Sequence, residues 1–182
     1  KLKKEYAKFQ NGVSENSDYF DMLVIERARI IKGAENKIYV PSKIIKENFQ
    51  NSQKWLIYCD TVDQLQKVKN DLKEYGFDSL EYHTKMESKP ETVLNQFNSI
   101  GGILLSINCL DEGVDIPSLS HAIILSSSKN PRQFIQRRGR VLRKAPGKTF
   151  AYIYDGIIIP PKNEIDSQVD AIVYKGELAR AI

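Results

Sequence analysis

Residues 55–76 read Trp55-Leu-Ile-Tyr-Cys-Asp60-Thr-Val-Asp-Gln-Leu65-Gln-Lys-Val-Lys-Asn70-Asp-Leu-Lys-Glu-Tyr75-Gly76. The first five form an unbroken apolar run of strand length, as a strand buried on both faces requires. Thr61 and Gln64 then stand at capping-box spacing, which starts a helix. That helix puts Leu65, Val68, Leu72 and Tyr75 on one face, and Gly76 closes it. A buried strand followed at once by an amphipathic helix is half of a β-α-β unit.

The same alternation continues. Ser79 to His83 reads as a second strand. Ser88-Lys-Pro-Glu91 has the spacing of another capping box, with proline in the first turn, and opens a helix carrying Val93, Leu94 and Phe97. Gly102 to Ile107, His121 to Ser126 and Thr149 to Tyr154 supply three more strands. Strands separated by helical crossovers predict an α/β fold, a parallel sheet with helices on both faces. Helices are expected beyond both ends. Tyr19, Phe20, Leu23, Val24, Ala28 and Ile31 recur at helical spacing and stop at Gly33, and Val40, Ile44, Ile45 and Phe49 follow, with Pro41 opening or kinking their helix. A last helix spans roughly 165–181, with Val169, Ile172 and Val173 as its apolar side. The expected organisation is a helical lead-in over 1–53, packed on or linking to the next domain, the α/β domain over 54–156 and a helical extension over 157–182.

The totals bound the function. A chain of 182 residues can bury one proper core. Its net charge of +4 permits a nucleic-acid partner without requiring one. No apolar run reaches membrane-span length and no secretory signal is visible. Cys59 and Cys109 lack further ligands at metal spacing, so two reduced thiols in a reducing, cytoplasmic setting are expected, with no metal held by this chain. A start at Lys1 rather than methionine points to a fragment or a processed product.

In a parallel α/β sheet, function gathers on the loops at the carboxyl ends of the strands. Here these are Asp60-Thr61, His83-Thr84-Lys85, Ser106 to Asp115, Ser127 to Lys129 and Asp155-Gly156. The loop from Ser106 to Pro117 offers short polar groups in Ser106 and Asn108, a glycine for close backbone approach in Gly113 and an acceptor in Asp115. Alone, it reads equally well as a structural turn.

Residues 133–143, Gln-Phe-Ile-Gln-Arg-Arg-Gly-Arg-Val-Leu-Arg, place four arginines within seven residues. On a helix, Gln136, Arg140 and Arg143 form one stripe, with Phe134, Ile135, Val141 and Leu142 opposite. The apolar back would fix the helix to a core, and the guanidinium front would face an anion such as phosphate. Arg138 falls on the apolar side, so it should snorkel or pair with a carboxylate. Alone, such a helix is better explained by a solvated basic face, and the neighbouring segments reverse that preference. Two nearby patterns lead elsewhere. Gly147-Lys148-Thr149 lacks the earlier glycine of a phosphate-binding P-loop and runs into a strand, and Asp111-Glu112 does not sit on the end of an apolar strand.

Together these segments resemble the C-terminal, second RecA-like domain of superfamily-two helicases and translocases. Leu56-Ile-Tyr-Cys-Asp-Thr61 is similar to motif IV, Ser106 through Pro117 to motif V, and Gln136-Arg-Arg-Gly-Arg-Val-Leu-Arg143 to motif VI, over about residues 54 to 155. The resemblance implies that Arg140 and Arg143 reach the γ-phosphate of ATP and that Gln136 links their helix to the nucleotide site. It implies that Gly113 and Asp115 face the nucleotide, and that Thr61, His83, Thr84, Ser106 and Asn108 grip a nucleic-acid backbone. Ser106 stands where threonine is more usual and keeps the hydroxyl. The P-loop, the magnesium ligand and the water-activating acid belong to an N-terminal RecA-like domain of the full-length chain, so this chain alone should be inactive. Gln136 occupies a position where the RNA-unwinding DEAD-box branch usually has histidine. Glu26-Arg-Ala-Arg29 and Glu35-Asn-Lys37 are similar to restriction-subunit and excision-repair helicases, which implies DNA rather than RNA. The alternative is a non-catalytic nucleic-acid or protein binding module that keeps the fold. The arginine stripe argues against it, because a pure binder needs no γ-phosphate sensor.

Overall fold

A computed structural model describes the chain at residues 22, 25–26, 29–30, 33–107, 116, 118–125 and 138–158. Glu35–Gly156 makes one compact unit, and residues 1–34 with 157–182 make another. In the second, Met22, Ile25, Glu26, Arg29 and Ile30 are helical, and the Gly33 N–H donates to the Arg29 carbonyl at 2.9 Å. The expected helix over 165–181 lies outside the described residues.

The larger unit opens with a 3₁₀ turn, Glu35–Tyr39, which leads into α1, Val40–Asn48. Pro41 falls in the first turn of α1, where its missing N–H costs nothing, so it opens the helix and does not kink it. Then come β1 (Lys54–Cys59), α2 (Val62–Glu74), β2 (Ser79–Tyr82), α3 (Pro90–Ile100), β3 (Gly102–Ile107), β4 (His121–Ile124) and β5 (Tyr152–Asp155). All strand pairings are parallel, in the order β2-β3-β1-β4-β5. β4 and β5 are each displaced from their expected bounds. β4 gives way to a bend at Leu125, and β5 begins at Tyr152, not Thr149.

The strand order dictates the layers. From β1 to β2 the chain steps two places one way, and every later step runs back the other way. Crossovers between parallel strands are right-handed, so the first must lie on one face and the later ones on the other. The core divides accordingly. Ile45 of α1 and Leu65, Val68 and Leu72 of α2 pack with Trp55, Ile57, Cys59, Ile103, Leu105, Ile123 and Leu125 on one face. Val93 and Phe97 of α3, with Val141, pack with Leu56, Tyr58, Tyr82, Leu104, Ala122 and Ile124 on the other. The helices therefore cover both faces. Ile45, in the segment read as a lead-in, is fully buried in the same core as Trp55.

Local chemistry sets the helix ends. The Gln64 N–H donates to Thr61 Oγ1 at 3.1 Å, which caps α2. The return bond of the capping box is displaced by one residue, because Gln64 Oε1 accepts from the Asp60 N–H at 2.8 Å. At the other end, Gly76 (φ 83°) lets its own N–H reach the Lys73 carbonyl and the Phe77 N–H reach Leu72, a Schellman closure. Tyr75 has already left helical geometry there, and it is exposed instead of completing the apolar face. The second capping box does not form. Pro90 takes the first helical position, which makes Lys89 the N-cap and leaves Ser88 one residue too early. At Gly101 (φ 81°) a Cβ would lie 2.9 Å from the Gln53 carbonyl oxygen, so only glycine admits this approach between the starts of β1 and β3.

Across β1, β4 and β5 runs a stack of rings. Trp55 lies on His121 with centroids 4.0 Å apart and planes within 6°, and His121 lies on Tyr152 at 4.9 Å. His121 Nδ1 is 2.8 Å from Ser120 Oγ. Burial lowers the His121 pKa below its ordinary value. The folded state therefore prefers the neutral ring. Its contribution is complete above the unfolded pKa, near 6.5, and is lost as pH falls through the window just below it. Thermal melts between pH 7.5 and 5 should show a fall in Tm that is smaller in His121→Phe. An equal fall in both proteins would remove His121 as the cause.

Candidate functional site

The topology singles out the carboxyl end of β1. The connection leaving β1 goes to the α2 face, whereas those leaving its neighbours β3 and β4 go the other way. Adjacent strands whose connections part in this manner leave a crevice at their carboxyl ends. Thr61, at the N-terminus of α2, is exposed at that edge.

Ser106 sits near the end of β3 and is fully buried, in register with Tyr58 of β1 on one side and Tyr82 of β2 on the other. Strand alternation puts the three side chains on the α3 face. The result is a row of hydroxyl-bearing side chains beneath the carboxyl edge. The tyrosine members went unnoticed because each was read as ordinary strand filling. Asn108, Gly113 and Asp115 lie outside the described residues.

His83 follows β2 and is buried, while Thr84 beside it is exposed. The Lys85 N–H donates to His83 Nδ1 at 3.2 Å, so the proton sits on Nε2, which donates to Glu81 Oε2 at 3.3 Å. Glu81 also accepts from Gln66 at 2.7 Å and from Lys69 at 3.0 Å. Burial would raise the Glu81 carboxyl, but the hydrogen bonds from Lys69, His83 and Gln66 prevail and hold its pKa below the usual range. These groups line a groove of about 460 Å³ together with Lys85, Ser88 and Thr92. The imidazole is thus fixed by its neighbours, and the exposed hydrogen-bonding groups of this loop belong to Thr84 and Lys85.

In the arginine segment, residues 138–141 are helical. Gln136 and the expected anchors Phe134 and Ile135 lie outside the described residues. Val141 is fully buried in the α3-face core. Arg138 projects toward the sheet and pairs with Asp155, the last residue of β5, at 3.5 Å, with the carboxylate nearly buried. This is the carboxylate partner that its position on the apolar side required. Arg140 is half-buried and Arg143 is exposed. Leu142 corrects the sequence reading, since it is 59% exposed. The helix gives way to a turn at this residue, so the helical projection that placed Leu142 on the apolar side no longer applies.

Two further lysines bond to backbone carbonyls. Lys37, in the 3₁₀ turn, is buried and donates from Nζ to the Leu125 carbonyl at 2.8 Å, just beyond β4. Lys148 folds back onto the carbonyls of Val141 and Arg143. Cys59 ends β1 beneath the edge, and burial together with the charge of Asp60 pushes its thiol up to about 12, which makes it inert as a nucleophile. Among the described residues, no three His, Cys, Asp or Glu side chains gather closely enough to hold a metal ion, and no helix is long and apolar enough to cross a membrane.

Residues 36–145 match the helicase conserved C-terminal domain family. A putative ATP-dependent RNA helicase, MJ1505 of Methanocaldococcus jannaschii, is 28% identical over 121 residues, covering 62% of this chain and 15% of its own. UvrABC system protein B of Thermus thermophilus is 29% identical over 129 residues, covering 67% of this chain and 19% of its own. The ATP-dependent type ISP restriction-modification enzyme LlaBIII, solved bound to DNA, superposes with a TM-score of 0.55 at 20% identity over 79% of this chain and 12% of that one. The chain spans 15% to 20% of the length of the first three curated relatives it matches. With the parallel RecA-like sheet, the match over residues 36–145 establishes that the chain belongs to the helicase conserved C-terminal domain family.

Proposed function

We propose that this chain is the C-terminal motor half of an ATP-dependent DNA helicase or translocase, completed by an N-terminal RecA-like domain of the same full-length protein. Residues 54–156 carry the working edge, with 1–53 and 157–182 as flanking segments. One observation carries the reading. The arginine segment is fixed from behind by Val141 and by the Arg138–Asp155 pair, which leaves Arg140 half-buried and Arg143 exposed beside them. Guanidinium groups held close to a RecA-like sheet suit a γ-phosphate presented by a second domain.

ATP, when bound, supplies the phosphoryl transfer that drives the cycle, with its magnesium held by the N-terminal domain. In this chain Arg140 and Arg143 offset the charge that develops on the transferring phosphoryl group. Gln136, Gly113 and Asp115 face the nucleotide and couple it to the track. Thr61, Thr84 and Asn108 hold the track, with the buried, hydrogen-bonded His83 ring fixing the shape of its loop and the buried Ser106 supporting the edge from beneath. Backbone contacts carry no base information, so binding is weakly sequence-specific and steeply salt-dependent. DNA is favoured over RNA because Gln136 stands where the DEAD-box branch usually has histidine.

The test is phosphate release by the full-length protein and by the 182-residue chain, each with duplex DNA and with RNA. Full-length turnover should rise with DNA, and the 182-residue chain should give none. Turnover by the short chain that survives purification overturns the half-motor reading. Stimulation by RNA alone overturns the choice of DNA, and a full-length protein that binds nucleic acid without turnover supports the binding-module alternative.

A further inference from the structure

The arginine segment is anchored behind Arg140, but Arg143 lies beyond the last helical turn. Its N–H reaches the Arg140 carbonyl only at 3.4 Å, and its side chain is exposed. The last carbonyls of a helix lack partners within the helix, and an end in this condition frays. Here the chain returns to close it. Gly147 has φ 75° and the Lys148 N–H donates to the Ala145 carbonyl at 3.0 Å, a turn that reverses the chain. The reversal carries the Lys148 ammonium onto the carbonyls of Val141 and Arg143, the second at 2.8 Å. A cation at a helix C-terminus is favoured by the helix dipole as well as by the hydrogen bonds. The first of these acceptors belongs to a residue locked in the core. The second belongs to a residue that the proposed function assigns to phosphate.

We propose that Lys148 is a positioning residue for Arg143, tying that residue's backbone to the core-anchored Val141 so that its guanidinium is presented in one direction. This rests on the proposed function for the role of Arg143, but the tether itself does not. A misplacement of about 1 Å in a charge-stabilising group costs on the order of 10²-fold in rate. In the full-length protein, Lys148→Met should lower kcat for ATP hydrolysis by roughly 10-fold to 10²-fold with little change in KM. Lys148→Arg, which keeps a cation able to reach carbonyls, should recover most of that loss. In an Arg143→Ala background, Lys148→Met should cost little more, because the group it orients is gone. Losses that multiply in the double variant, or no rescue by arginine, overturn the proposal. A second arm needs no turnover. In the 182-residue chain, amide hydrogen exchange at Leu142 and Arg143 should quicken in Lys148→Met while protection along β1 and β3 is kept. Unchanged exchange there overturns the tether even if the full-length protein is an active helicase. Quickened exchange with a full-length protein that hydrolyses no ATP retains the tether and sinks the functional reading alone.

Discussion

Arg140→Ala in the full-length protein is expected to reduce nucleic-acid-stimulated ATP hydrolysis by roughly 10³-fold or more, the scale of an arginine finger in phosphoryl transfer. The domain should stay folded. Arg140 is half-buried, and its segment is held by the Val141 side chain and the Arg138–Asp155 pair, none of which the substitution removes. Arg140→Lys should also be poor, since an ammonium cannot reproduce a planar two-pronged donor. The comparison that decides is hydrolysis against thermal melting. Leu142→Ala, at an exposed position, should leave the melt nearly unchanged, whereas Val141→Ala should lower it by opening a void in the α3-face core. If Arg140→Ala unfolds the domain, or leaves hydrolysis intact, the arginine stripe is structural.

The largest effect on stability should come from Trp55→Ala. Trp55 is fully buried on the central strand, stacks on His121, tilts against Phe49 at 6.4 Å and donates from Nε1 to Gln53 at 2.8 Å. Removing such a side chain costs about 3 to 5 kcal/mol. At about 2 to 4 °C per kcal/mol for a chain of this size, Tm should fall by roughly 10 °C. Trp55→Phe keeps a ring in the stack and should lose less. A Trp55→Ala protein that melts within a degree or two of the parent would show that this layer is not packed as described.

The sheet was readable because each buried strand is a short apolar run between turn residues, a signal that needs no tertiary knowledge. The Arg138 pair was readable for a similar reason. A charge on the apolar side of a helix must find a counter-charge, and Asp155 is at hand. What failed was local geometry at element ends. Leu142 and Tyr75 were projected onto ideal helices that stop before the projection applies, and Ser88 was counted as a cap although Pro90 moves the helix start by one residue. The bond made by Lys37 could not be read from Glu35-Asn-Lys37, since its acceptor lies 88 residues away. Lys148 lies in the turn expected after the arginine helix, but that pattern does not say which carbonyls its ammonium reaches.

The division of the core by the sheet has a consequence for engineering this domain. The α1 and α2 layer and the layer that holds Val141 touch opposite faces of the strands and, among the described residues, share no side chain. Substitutions far apart and without common partners combine additively. Stabilising substitutions around Ile45 and Val68 can therefore raise the melting temperature while the opposite layer, with its arginines, is left unchanged. The usual exchange of ruggedness against turnover is relaxed by the architecture itself, and the α1 and α2 side is where a search for hardier variants should begin.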